Sequence, residues 1–302
     1  MKLLHWLATL AFSGCLAAQT VGYTYDAAGR LTGVAYPNGK TLSYAYDSAG
    51  NLLQRLVRSA VAGPAPAATA AGVLNAASFQ GGAVAPGELV TIFGSGIGPA
   101  SLAGPSVTRF NFLDNFVGDA TALFDGIPAA IYYVSAGQSS VFVPYSVAGK
   151  NSTQMVIEYQ GRRSAPVTLP VAASAPGLFS RSQDGKGNGV MVNQDSSFNA
   201  ADNPAAKGSI VAMYGTGEGQ TNPAGVDGRF SGTVFPKPLL PVSVSIGGIN
   251  AEIVYQGADG GSVAGVFQVN ARIPDQVASG AVPVVVKVGN ASSQAGLTVA
   301  VR

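Results

Sequence analysis

The chain has 302 residues, 47 % hydrophobic and 11 % charged, with 17 Lys and Arg against 15 Asp and Glu. Soluble domains usually carry roughly 25 % charged residues; a balance this low and this even offers neither a basic stripe for nucleic acid nor an acidic tail. The single His, Cys and Trp are His5, Cys15 and Trp6, so the chain beyond them has no Ser-His-Asp or Cys-His machinery, no zinc site built on His or Cys, and no disulfide.

The opening MKLLHWLATLAFSGCLAAQ puts Lys2 before an apolar run from Leu3 to Phe12, with small residues after it. This predicts a secretory signal peptide over residues 1–18, cut after Ala17 or Ala18. The alternative is a lipoprotein signal with Cys15 as the lipid anchor. Either way the expectation is an exported protein, extracellular or on the cell surface, with no apolar stretch beyond the signal long enough to span a bilayer.

Forty glycines and abundant Val, Ser and Thr, with no long helical periodicity, predict all-β structure with many tight turns. Residues 21–58 hold Tyr23-Thr-Tyr25-Asp26-Ala-Ala-Gly29-Arg-Leu31 and, 21 residues on, Tyr44-Ala-Tyr46-Asp47-Ser-Ala-Gly50-Asn-Leu52. Two rings at alternate positions share a face of a strand. Asp26 and Asp47 can bond backbone two residues on and start a turn, Gly29 and Gly50 suit its end, and Leu31 and Leu52 begin the next strand. Pro37-Asn38-Gly39 is a further turn, so successive β-hairpins are expected. The pattern resembles the YD repeat of Rhs and teneurin-type surface proteins; in large members many copies wind into a shell. Two hairpins bury little apolar surface and are marginal alone.

Residues 59–72, SAVAGPAPAATAAG, read as an uncharged Ala/Pro linker. Beyond it the chain repeats itself. Gly87, Gly94, Gly96 and Gly98 of PGELVTIFGSGIGP fall on Gly208, Gly215, Gly217 and Gly219 of KGSIVAMYGTGEGQ at an offset of 121. Ser78-Phe79 meets Ser197-Phe198 at 119, DGIPAAIYY meets GGINAEIVY at 122, VFVPY meets VFQVN at 125, and APVTLPV meets AGLTVAV at 130. A monotonic drift is what insertions in loops between retained strands produce. The expected architecture is two tandem immunoglobulin-like β-sandwich units from an internal duplication, residues 73–181 and 182–302, behind a short N-terminal β-hairpin segment. The glycine-rich loops lack the helix of a dinucleotide fold and the Lys-Ser/Thr of a P-loop. Gly94, Gly96, Gly98, Gly215, Gly217 and Gly219 are therefore structural turn glycines.

The same residues, with VMVNQDSSFNAADNPAAK and GVFQVNARIP, resemble the uncharacterised Solibacter-type C-terminal domain of acidobacterial secreted proteins, and the strand with its G-x-G-x-G resembles the start of IPT/TIG domains. The resemblance implies a module of exported proteins, with no catalytic residues to carry over.

Three kinds of site remain to be weighed. Asp184, Asn188 and Asp195, with Asp202, lie in a Gly-rich stretch without EF-hand spacing; a solvated loop is the main reading and calcium the alternative. Asp114, Asp119, Asp125, Glu158, Glu218, Asp227, Glu252 and Asp259 are scattered and match no glycosidase pattern. Tyr132, Tyr133 and Tyr145, or the tyrosines of the YD segment, would be the pieces of a sugar-stacking platform. The leading expectation is a non-catalytic surface adhesion or scaffold module without a cofactor, its partner an unknown surface protein or polysaccharide. A carbohydrate-binding module and a truncated remnant of a YD-repeat surface protein are the alternatives.

Overall fold

The computed structural model describes residues 21–36, 40–47, 50–58 and 63–302. The signal peptide, Cys15, the Pro37-Asn38-Gly39 turn and the start of the linker lie outside them. The chain divides into two compact units at Val61–Ala62.

The first unit is a four-stranded antiparallel meander: β1 (Gly22–Tyr25), β2 (Leu31–Ala35), β3 (Thr41–Tyr46) and β4 (Leu52–Arg58), in that order. Tyr23 pairs with Val34, and Val34 with Leu42. Val34 and Leu42 are buried, whereas Tyr23, Tyr25, Leu52 and Leu53 are exposed. One sheet of this size has no second layer to cover its rings, so alternation sorts side chains between faces without producing a core.

The second unit is two sandwiches. The first comprises β5 (Ala67–Asn75), β6 (Leu89–Ser95), β7 (Ala120–Phe124), β8 (Ile127–Pro128), β9 (Ala130–Val134), β10 (Gln138–Phe142), a 3-10 turn at Tyr145–Val147, β11 (Ser152–Tyr159), β12 (Arg162–Arg163) and β13 (Val167–Pro170). One sheet runs β5-β6-β10-β9, the other β12-β11-β7-β8 with β13 also on β11. Ile92 and Val141 from the first sheet pack with Phe124, Met155, Ile157 and Leu169 from the second in one buried cluster.

The second sandwich comprises β14 (Gly177–Leu178), β15 (Gly187–Asn188), β16 (Met191–Asn193), β17 (Ile210–Thr216), β18 (Thr221–Asn222), β19 (Lys237–Pro238), β20 (Val242–Ile246), β21 (Ile249–Ala251), β22 (Ile253–Ala258), β23 (Val266–Arg272), β24 (Gly280–Val288), β25 (Ala291–Ser292) and β26 (Leu297–Val301). Its sheets run β14-β17-β23-β22, with β16 on β17, and β15-β26-β24-β20-β21, with β25 on β24. Met213 and Val269 face Val244, Val286 and Val299 across its core.

The two orders superimpose. The path β6-β10-β9 recurs as β17-β23-β22, and β11-β7-β8 recurs as β24-β20-β21. A side-chain detail recurs with them. The Ser164 hydroxyl accepts from the Ile157 N–H at 3.0 Å while the Ser164 N–H donates to the Ile157 carbonyl. Ser293 and Val286 repeat the same two bonds.

Two boundaries differ from the sequence reading. Ala67–Gly72 is not linker but the first part of β5, where Ala67 and Ala68 pair with Ser95 and Gly94. The absence of a Cβ on Gly94 lets the Ala67 backbone approach β6 closely, while most of the small side chains there face solvent. The second sandwich begins before residue 182: β14 pairs with β17, and Leu178 belongs to its core. Two residues bridging to a neighbouring strand carry too little periodicity to be read as a strand.

Candidate functional site

The six loop glycines do different work. Gly94 and Gly215 lie inside β6 and β17, not in turns. A Cβ on Gly94 would fall on the Ala67 carbonyl oxygen, and one on Gly215 on the Gly177 carbonyl oxygen, so each keeps a neighbouring strand close. Gly98 packs under Val134 and Ser135, and Gly96 faces open space. Gly217 and Gly219 adopt φ of +86° and +80° and lie directly beneath the carbonyls of Ala175 and Ala173, in the connector between the sandwiches. The Ala175 N–H donates to the Gly217 carbonyl at 2.8 Å. This closeness holds Glu218, between the two glycines, inside the protein.

Glu218 lies at the seam of the two sandwiches. There Leu89, Leu113, Ala130 and Phe142 pack with Val263, and Phe179 and Phe230 lean on them. Thr216 spans the seam: its hydroxyl accepts from the Leu89 N–H at 2.7 Å and donates to the Gly265 carbonyl at 2.6 Å. Tyr145 is buried here, its ring held between the Cα atoms of Gly87 and Gly225, where a Cβ on either would strike it. The Tyr145 N–H donates to Asp227 Oδ1 at 2.8 Å, and Gln220 Nε2 donates to the Tyr145 carbonyl at 3.0 Å.

Two carboxyls are fully enclosed. Glu88 Oε1 accepts from Asn75 Nδ2 at 2.8 Å and Oε2 from the Ala85 N–H at 2.7 Å. Burial nevertheless pushes its pKa to about 8, with the charge of Glu218 adding to the rise. Burial lifts Glu218 to about 8 as well, against a backbone hydrogen bond that lowers it. Its Oε2 has no hydrogen-bond partner within the protein. Burial also raises Asp227 and the Tyr145 phenol, the latter helped by the charges of Glu218 and Asp227. Glu218 and Tyr145 line a cavity of about 790 Å³, walled by Phe110, Phe112, Phe230 and Val226, with Arg229 exposed at its margin.

Of the scattered acidic residues, Glu218 and Asp227 are brought together around Tyr145. The others hold local structure. Asp125 accepts from Lys150, Thr153 and the Gln154 N–H. Glu158 pairs with Arg163 at 3.0 Å and Glu252 with Arg272 at 2.8 Å. Asp114 accepts from the Phe116 N–H, Asp259 from Ser262, and Asp119 takes a left-handed turn position. Tyr145 is no part of a surface sugar platform, because the seam encloses it; Tyr132 is exposed but meets Tyr133 edge-on at 6.2 Å, not as a flat shelf.

Asp184, Asn188 and Asp195 are not gathered either. Asp184 accepts from Ser182 and the Lys186 N–H, Asp195 from Ser197, and Asn188 Oδ1 from Thr298. Among the described residues no group of three or more His, Cys, Asp or Glu is placed to hold a metal ion.

In the first unit, the Asp26 carboxylate accepts from the N–H groups of Ala28 and Arg30 at 3.0 and 2.9 Å. The fifth residue of each hairpin loop completes the turn: Arg30 Nε donates to Asp26 Oδ2 at 2.7 Å, and Asn51 Nδ2 to Asp47 Oδ2 at 2.8 Å. Arg30 also links the hairpins, donating to the Asp47 carbonyl and lying 5.0 Å from the Tyr46 ring centre, while the Tyr46 hydroxyl donates to the Leu31 carbonyl. Sequence reasoning passed over Arg30 and Asn51 because they differ between the copies. Hydrogen bonds from Arg30 hold the Asp26 carboxyl below the usual range. The hairpin is therefore firmer above the ordinary Asp pKa and loosens as pH falls through the lowered one. Asp26→Ala should speed amide exchange at Ala28 and Arg30 and leave residues 63–302 unchanged, as read by hydrogen-exchange NMR.

A family model described as RHS Repeat matches residues 19–41 and 25–60. No curated protein matches the chain. Among solved structures, two of the Plexin A4 full extracellular region, one covering domains 1 to 8 and one domains 1 to 10, are similar at 14 % identity and a TM-score of 0.25. Each alignment covers 78 % of this chain but 18 % and 15 % of the plexin chains, so this chain spans under a fifth of their length.

Proposed function

We propose that the protein is a non-catalytic, exported surface module in which a welded pair of β-sandwiches carries the YD hairpins as the contact element. The observation that carries this reading is the contrast between the units. The sandwiches close on two buried cores and a seam and leave apolar residues such as Phe198 and Leu239 exposed singly, whereas the described hairpin residues include just two buried apolar side chains, Val34 and Leu42, and leave Tyr23 and Tyr25 on one strand 58 % and 61 % exposed. The RHS Repeat match over the same hairpins favours a surface or extracellular setting. The likeness to the Solibacter-type C-terminal domain and to IPT/TIG sandwiches agrees with a carrier module. Asp114, Asp125, Glu158, Glu252 and Asp259 act as turn anchors and ion-pair partners, which favours a structural role for them.

An antibody against residues 63–302 should label intact cells; label that appears only after permeabilisation would refute export to the surface. Purified protein should be retained on isolated cell envelopes, and Tyr23→Ser with Tyr25→Ser should cut that retention severalfold without changing the melting temperature of the sandwiches. Unchanged retention would move the contact away from the hairpins.

A further inference from the structure

The seam cavity has features that a carrier does not need. It measures about 790 Å³, within the range of small-ligand sites. Four aromatic residues, Phe110, Phe112, Phe230 and Tyr145, line it. Tyr145 is fixed between two glycines and tied through its backbone to Asp227 and Gln220, so that wall is set before anything binds. Glu218 is among the residues of the same cavity, is 2 % exposed, and keeps one buried carboxyl oxygen without a partner.

We propose that this cavity binds a small organic ammonium ion with an apolar, ring-sized body, its nitrogen pairing with the Glu218 carboxyl and its body lying among the aromatic side chains. Aromatic faces attract cations as well as apolar carbon, and a buried acceptor left unpaired is costly until a donor meets it. The charges around the site favour a cation. Burial raises Glu88, and the charge of Glu218 adds to it; burial raises Tyr145, and the charges of Glu218 and Asp227 add to it. The one basic residue of the lining, Arg229, is exposed at the margin. An anion would meet the Glu218 carboxyl, the one acid of the lining. A purely apolar guest would leave Glu218 Oε2 unpaired.

Protonation gives the site a signature. Glu88 and Tyr145 lie close enough to feel the charge of Glu218, Asp227 flanks Tyr145, and Arg229 stands at the margin. Near neutral pH the Glu218 carboxyl holds its proton, since burial places its pKa at about 8. An ammonium guest pairs with the carboxylate, so the proton leaves to solvent on binding. Affinity therefore rises by about tenfold per pH unit below that pKa and levels off above it, for an amine that stays protonated throughout.

The test is calorimetry on the full chain with 2-phenylethylammonium, using 2-phenylethanol and 3-phenylpropanoate as neutral and anionic counterparts, in buffers of different ionisation enthalpy. The amine should bind at least tenfold more tightly than either counterpart and release close to one proton at pH 7. Glu218→Gln should weaken the amine at least tenfold and abolish proton release, and Arg229→Ala should tighten it severalfold. Equal affinity for alcohol and amine, binding without proton release, or no heat at millimolar amine would each overturn the proposal. If Glu218→Gln fails to fold, the Arg229→Ala result and the pH dependence of the native chain decide alone.

Discussion

Gly265→Ala should lower stability by about 3–5 kcal/mol, which for a unit this size is roughly a 10 °C fall in melting temperature. Gly265 has a φ of +104°, a conformation that strains any residue with a Cβ. A Cβ there would also fall on the Gly87 carbonyl oxygen and within 3.0 Å of the Phe142 ring. Gly87 cannot retreat, because the Tyr145 ring lies against it. The added methyl would therefore push the sandwiches apart at the point where Thr216 joins the Leu89 N–H to the Gly265 carbonyl. Gly261→Ala is the control. Its φ of +86° is also left-handed, but a Cβ there meets nothing within 4 Å, so it should lose only the conformational part, about 1 kcal/mol. Urea denaturation of the two variants separates crowding from strain; equal losses would mean the seam has slack.

The second large effect is in pH. Glu88 and Glu218 have folded pKa values of about 8 against an ordinary 4.5. A folded state that holds protons more tightly than the unfolded chain is most stable below the unfolded pKa. It loses that advantage as pH rises from about 4.5 to about 8, and changes no further above. The unfolding free energy from urea denaturation should thus fall between pH 5 and pH 9, by on the order of a few kcal/mol in total. Glu218→Gln should flatten much of that decline, since it keeps a neutral group of the same shape and relieves the repulsion on Glu88. At the acid end the sign reverses. Asp125, held low first by its bond from Lys150, stabilises the fold above its ordinary pKa and stops doing so as pH falls through the lowered one. An identical pH profile for the native chain and Glu218→Gln would remove the buried acid as the cause.

The duplication was legible because both copies preserve strand spacing and apolar kind. Leu89 to Phe93 and Ile210 to Tyr214 lie on equivalent strands, and the loops between strands absorbed the drift in offset. The YD turns were legible because Asp26 and Asp47 act on backbone a few residues away, where sequence distance and spatial distance agree. What escaped depends on contacts that cross the chain. Nothing near Glu218 in sequence says that Ala173 and Ala175 cover it, nor that Tyr145, 73 residues earlier, lines the same cavity. Ala67–Gly72 reads as linker because its side chains are small and mostly exposed, and its strand character comes from the backbone pairing of Ala67 and Ala68 with Ser95 and Gly94. At the offset of 121 Glu88 meets Ser209 and Glu218 meets Ile97, so each buried acid is a point where the copies differ and comparison between them loses its force.

Thr216 is held to both sandwiches, and that bond bears on the ancestry of the fold. A single sandwich standing alone would have to satisfy its own Leu89-equivalent N–H and shield its own apolar flank. In the present chain the Leu89 N–H is met by a residue 127 positions away, and Leu89, Ala130 and Phe142 are covered by Val263 and Phe230. The segment that was copied is thus no longer the segment that folds. Inheritance runs in halves of about 120 residues, while selection on stability acts on the pair. Neither half is then free to be lost, shuffled or exchanged without a matching change in its sister.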